Sequence, residues 1–320
     1  MRRLFLAASL LIVATPLHAV STVIEQVQIN ARPIAAFRIG SDETRFGPLE
    51  FVGGLEMTSP SRNFGALSSF RFLGAGGDLI GVADTGFWFF GTLARDGQGR
   101  PAGFDKFRME RMAGARKRDI DAEGLAVKDD VATVGFERDH RIARFRIGPS
   151  PMQAPLGQID FLVPARELRQ NRGFETVAHD PQGNLVIVSE KSLDRAGNIF
   201  AAIIEGPGKG VFTVKRGGEF DITDGAFLPD GDLLLLERSF SYLAGVRMQL
   251  RRIEGASIAK GKIADGPVLF TADMGYQIDN MEGLDVWRRG DGALIVSLMS
   301  DDNQSILQRN LYLEFILHED

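Results

Sequence analysis

The 320-residue sequence has no cysteine. That excludes a cysteine nucleophile, thiolate zinc ligation and iron–sulfur clusters. Stability therefore falls to the apolar core, for which 44% hydrophobic content over this length is ample. Histidine is nearly as scarce, with only His140, His179 and His318 beyond the first 20 residues. A basic excess is missing too: 37 Lys and Arg face 42 Asp and Glu, for a net charge of −5. The chain carries no electrostatic footprint for nucleic acid. There is no Gly-x-Ser-x-Gly elbow. Gly206-Pro207-Gly208-Lys209-Gly210 lacks the spacing and following helix of a phosphate loop and reads as a turn. No window sustains a helical period, and only residues 163–169 suggest a short helix.

Long apolar runs are also absent, apart from one at the start. Arg2 and Arg3 precede an apolar stretch from Leu4 to Ala14, and Thr15-Pro16-Leu17-His18-Ala19 offers a cleavage point. The run is too short to span a bilayer, so residues 1–19 read as a signal peptide. The expected product is a periplasmic or secreted protein without a membrane span. Nothing divides residues 20–320, which read as one domain.

What is present is a hairpin repeated four times, with acids at its open end. Glu123-Gly124-Leu125 leads through a turn to Glu137-Arg138, and Glu175-Thr176-Val177 leads to Glu190-Lys191. Asp224-Gly225-Ala226 leads to Glu237-Arg238, and Glu282-Gly283-Leu284 leads to Ile295-Val296-Ser297. The first acids fall at 123, 175, 224 and 282, and the segments between hairpins alternate with a two-residue period, as in 247–253. Four strands in about 50 residues is the size of a β-propeller blade. A degenerate copy runs from Leu67 to Asp84, with Ser69 and Asp84 in the acid positions. Strand-like stretches at 20–55 and 304–320 remain over. The reading is all-β: a propeller of six blades, with five as the alternative, closed by its terminal strands.

A tight turn brings the start of one strand beside the end of its partner. Glu123 should then approach Glu137, Glu175 approach Glu190, and Asp224 approach Glu237. Since the innermost strand lines the channel, every copy delivers acids to one mouth. Such a ring calls for neutralisation, either by Arg138, Lys191 and Arg238 or by a hard divalent cation that prefers carboxylate oxygens. The expected metal ligands are Asp121, Glu123, Glu137, Glu175, Glu190, Asp224, Glu237 and Glu282. The expected catalytic groups are Glu123, Glu137, Arg138, Glu237, Arg238 and His140. Lys191, Arg138 and Arg238 are expected to bind a small anionic ester substrate. Asp279, Asp301 and Asp302 are expected to add further oxygen ligands. The alternative is structural: acids beside turns accept backbone N–H bonds and pair with arginine in every blade. Residues 119–124 begin like an EF-hand loop, but position twelve is Asp130 and the middle reads as strand.

The runs Asp121-Ala122-Glu123-Gly124-Leu125-Ala126, Asn171-Arg172-Gly173-Phe174-Glu175 and Glu237-Arg238-Ser239-Phe240 resemble the phytase-like family, known as "esterase-like activity of phytase". Val52-Gly53-Gly54-Leu55 and Ala83-Asp84-Thr85-Gly86 fit its opening blade, and the resemblance spans residues 48–305. It implies a propeller, usually exported by bacteria, that hydrolyses phosphate or carboxylic esters. By likeness to established propeller phytases, it also implies Ca²⁺ at an acidic channel mouth. The chain departs from the pattern at Thr176, Asp224 and Ser297. The expectation is thus a monomeric, Ca²⁺-assisted ester hydrolase, the alternative being a non-enzymatic propeller that binds a ligand or protein partner.

Overall fold

A computed structural model describes residues 24–113, 119–148, 150, 152, 154–168 and 173–319. The proposed signal peptide and the Asn171-Arg172 pair lie outside them. Among the described residues helix is confined to short 3-10 turns such as Ala165–Glu167 and Gly255–Ser257. None is long and apolar enough to cross a membrane.

The strands form five separate sheets, arranged as the blades of a propeller. Each begins with an inner strand: Leu67–Phe72, Ala122–Lys128, Phe174–His179, Asp221–Phe227 and Asn280–Arg288, for blades 1 to 5. Each inner strand packs beside the next, and the fifth returns to the first. The next strands outward are antiparallel: Asp78–Ala83, Val131–Phe136, Leu185–Leu193, Leu233–Ser241 and Leu294–Asp301.

The blade number is therefore five, not six. The strand-like stretches at both ends do not make a blade of their own. Blade 5 has only two strands from its hairpin, and Asn310–Leu317 supplies the third. Leu49–Thr58 pairs antiparallel with that strand, and Asn30–Ile34 pairs beyond it. Ile24–Gln26 instead joins the outer edge of blade 1. Residues expected to form a sixth blade are the outer strands of two others.

Local chemistry sets the turns. In blade 3, Gly183 takes φ +83°, and the Asp180 carboxylate accepts the N–H groups of Gln182 and Asn184. The turns at Gly231 (φ +97°) and Gly292 (φ +91°) repeat the left-handed glycine, a conformation other residues adopt only at a cost.

Apolar side chains on the sheet faces form five cores, one between each pair of neighbouring blades. Leu234, Leu236 and Leu250 meet Leu284, Leu298 and Leu313 between blades 4 and 5. Phe70, Phe89 and Phe107 meet Leu55 and Tyr312 between blades 5 and 1. Ile80, Val82 and Trp88 meet Leu125, Val134 and Phe145 between blades 1 and 2. Ala126 and Ile142 meet Phe174, Val177 and Ile187 between blades 2 and 3, and Val188 and Phe212 meet Ile222 and Leu235 between blades 3 and 4. Near the axis the strands crowd: a Cβ on Gly124 would lie 2.6 Å from the carbonyl oxygens of Phe174 and Glu175.

Candidate active site at the propeller mouth

Every inner strand carries a β-bulge near its start. The ladder skips one residue between Leu67 and Ser69, between Ala122 and Gly124, between Phe174 and Thr176, between Ile222 and Asp224, and between Met281 and Gly283. The bulged residues are Ser68, Glu123, Glu175, Thr223 and Glu282. A bulge sets two residues against one and re-aims a side chain. Here all five bulged residues line a single cavity of about 240 Å³.

The second strand of each blade supplies the matching residue. Asp84, Glu137 and Glu190 donate their backbone N–H groups to the carbonyls of Ala66, Asp121 and Gly173, at 3.1, 2.9 and 3.1 Å. Arg238 and Asp301 sit opposite Asp221 and Asn280 in the same place of their ladders. These five, with Asn303, complete the cavity wall. Among the described residues, the mouth thus holds Asp84, Glu123, Glu137, Glu175, Glu190, Glu282 and Asp301, with Arg238 as its lining cation.

The electrostatics follow from that crowding. Burial pushes Glu123 well above the usual carboxylate range, and the negative charges of Glu137, Asp84 and Glu282 add to it. Burial does the same to Glu175, helped by Glu123 and Glu190. Asp301 is raised by burial and Glu282. Glu282 is raised by burial against the pull of Arg238, whose Nε donates to its carboxylate at 3.0 Å. One oxygen each from Glu137, Glu175 and Glu190 lies within 4.8 Å of the other two. Ca²⁺ contacts oxygen at about 2.3–2.6 Å, so two ligands of one ion stand no more than about 5 Å apart. This all-oxygen set fits a hard divalent cation, and Glu137, Glu175 and Glu190 are the residues that would hold it.

Below the mouth the channel is plugged. The Arg71 guanidinium forms a two-point ion pair with Asp224, 2.9 Å on each arm, and donates to the carbonyls of Phe70, Val177, Gly225 and Leu284. Four blades meet on one side chain. Asp285, near this plug, is pushed by burial up to about 6.

Several expected site residues lie elsewhere. Asp224 is fully buried, and its oxygens are taken by Arg71, Ser69 and the N–H groups of Gly225 and Leu284. It points into the plug and does not line the mouth. Glu237, also fully buried, is held inside blade 4 by Arg251 and Gln249. Asp224 and Glu237 each lie one residue away from the mouth-facing position of their strands. Thr223 and Arg238 occupy the positions that Glu175 and Glu190 hold in blade 3, and a one-residue slip exchanges strand faces. Asp121 is buried beneath the wall and pairs with Arg138. Lys191 pairs with Asp221, which Arg216 also holds at 3.0 Å. Arg138, Lys191 and His140 do not line the cavity, and neither do Asp279 and Asp302. Of the expected ligands, Glu123, Glu137, Glu175, Glu190 and Glu282 come together. Asp301, expected as a further oxygen donor, joins them, as do Ser68, Thr223 and Asn303, which carry no expectation from the sequence. Asp301 shares with Asp84 and Glu137 a place at or just past the end of its strand, beside a turn.

Endo-arabinase from Bacteroides thetaiotaomicron VPI-5482 is 13% identical, with 78% of this chain and 95% of that one covered at a TM-score of 0.44. The PQQ-bound form of aldose sugar dehydrogenase from Streptomyces coelicolor is also 13% identical, covering 85% and 99% at a TM-score of 0.43. Likeness at this level carries no functional argument. No curated protein matches the sequence. Residues 62–304, about three quarters of the chain, match the phytase-like family model, "esterase-like activity of phytase", and the protein therefore belongs to that family.

Proposed function

We propose that the protein is a metal-assisted hydrolase of small anionic esters, phosphoesters first among them, working at the acidic mouth. The observation that carries this reading is the Glu137–Glu175–Glu190 cluster, three carboxylates within 4.8 Å in a site where Arg238 is the one lining cation among the described residues. Bare, such a cluster repels both itself and an anionic substrate. With Ca²⁺ bound, the ion would supply a positive anchor for the substrate's oxygens and acidity for a bound water.

The chain's own residues then have definite parts. Glu137, Glu175 and Glu190 bind the cation. Arg238, fixed by Glu282, presents its guanidinium to an anionic oxygen. Glu123, whose carboxyl is raised by burial and its acidic neighbours, is the group placed to pass a proton to the leaving group. The plug at Arg71 makes the cavity a dead end, so substrate enters and product leaves by the same mouth. Membership of the phytase-like family supports hydrolysis as the reaction class.

Export belongs to the same proposal: cleavage after Ala19 would release a mature chain starting at Val20 into the periplasm or medium, acting as a monomer. N-terminal mass analysis of that fraction tests it. Turnover is tested with p-nitrophenyl phosphate and p-nitrophenyl acetate, in Ca²⁺ and in EDTA. Activity should require Ca²⁺ and fall at least 100-fold in Glu175→Gln. Activity indifferent to both sinks the reading.

A further inference from the structure

The second strand of blade 4 does not stop at the mouth. It runs on from Arg238 to Ser241 and returns at Gly245, so this hairpin projects beyond the cavity. Phe240 is 61% exposed, and Tyr242 and Leu243 at the tip are exposed almost completely. The Phe240 and Tyr242 rings meet edge to face at 5.6 Å. Met274, itself 55% exposed, packs so closely beneath the tip that a Cβ on Gly245 would come within 2.8 Å of its Cγ. Solvent-facing aromatic and aliphatic groups grouped in this way mark binding surfaces.

Strand geometry ties this patch to the cavity. Side chains two apart on a strand share a face and stand about 7 Å apart. Arg238 lines the cavity, Ser239 is buried on the opposite face, and Phe240 follows on the Arg238 side. The apolar group therefore begins one step outward from the cation that faces the substrate's charged end.

We propose that Phe240, Tyr242 and Leu243 set specificity by holding an apolar alkyl or aryl group of the substrate. The ligand is then an amphiphilic ester, with its anionic head in the cavity and its hydrocarbon against the hairpin. This rests on the hydrolase reading for the head-group site but adds the substrate class. Each methylene removed from water strengthens binding, so affinity rises with chain length.

Calorimetry with n-hexyl phosphate and methyl phosphate, in Ca²⁺ buffer, tests this without requiring turnover. Wild-type protein should bind the hexyl ester at least tenfold more tightly. The Phe240→Ala/Tyr242→Ala double variant should bind both alike, while Leu73→Ser, a change to an exposed leucine in a blade 1 turn, should retain the preference. Equal affinities in the wild type, no binding of either ester, or a preference that survives the double variant overturns the proposal. Light scattering covers the other occupant of such a patch: a dimer lost in the double variant, with no hexyl preference, would assign the hairpin to self-association. A chain-length preference without hydrolysis of any ester would refute catalysis and leave the specificity surface standing.

Discussion

At the residue scale, position within the bulge decides what each acid does. Glu175 and Asp224 both follow the start of an inner strand, yet one faces the mouth and the other the plug. Glu237 and Arg238 divide in the same way. Glu237→Gln should therefore destabilise the fold by about 1–3 kcal/mol, by weakening the hold on Arg251, and leave Ca²⁺ affinity unchanged. Equilibrium urea unfolding beside a metal titration separates the two effects. Arg71→Met strips the buried Asp224 of its partner and four carbonyls of their donor. The expected loss is about 3–5 kcal/mol, readable as a lower urea midpoint. A loss below 1 kcal/mol would mean that water or relaxation replaces the plug.

At the element scale, the hairpins and their turns were legible in the sequence because alternation and glycine turns are local signals. The bulges were not. A skipped residue leaves no mark in composition, and Asp224-Gly225 imitates Glu123-Gly124 while sitting one step later on its strand. Asp301, and not the position of Ser297, supplies the second acid of blade 5 for a related reason. The second strand of blade 5 continues through Ser297, Leu298, Met299 and Ser300, all fully buried or nearly so, before reaching the mouth. The blade count falls to the alternative of five, not the preferred six, because strand pairing between residues 49–58 and 310–317 is non-local. What the sequence did show correctly was a family resemblance and five acids that converge. Crowding of the inner strands gives this scale its own test. Gly124→Ala places a methyl against the carbonyls of Phe174 and Glu175 and should cost about 1–3 kcal/mol by urea unfolding. Because it displaces the backbone of Glu175, it should also weaken Ca²⁺ binding, and unchanged affinity would show that the strands yield elsewhere.

At the scale of the whole molecule, five blades converge on a concentration of negative charge that the fold itself must bear. Glu123, Glu175, Glu282 and Asp301 all have folded-state carboxyls raised above the ordinary range, chiefly by burial. At these four sites the folded protein thus binds more protons than the unfolded chain once pH exceeds about 4, the ordinary carboxylate value, and they outnumber the opposing contribution of His179, which burial lowers. Protein stripped with EDTA should lose stability as pH climbs from about 5 to 8, and differential scanning calorimetry should show its Tm falling. Added Ca²⁺ should flatten that slope, with its largest gain at the alkaline end, where the carboxylates are ionised and free of protons. A metal-free Tm that rises over the same interval would contradict the charge distribution. The most direct test of the central claim is a calorimetric Ca²⁺ titration of EDTA-treated protein and its Glu175→Gln variant at pH 7.5. Saturable binding in the wild type, weakened at least tenfold in the variant, is the predicted result. No binding heat in the wild type, or equal affinity in both, would contradict a cation site at Glu137, Glu175 and Glu190.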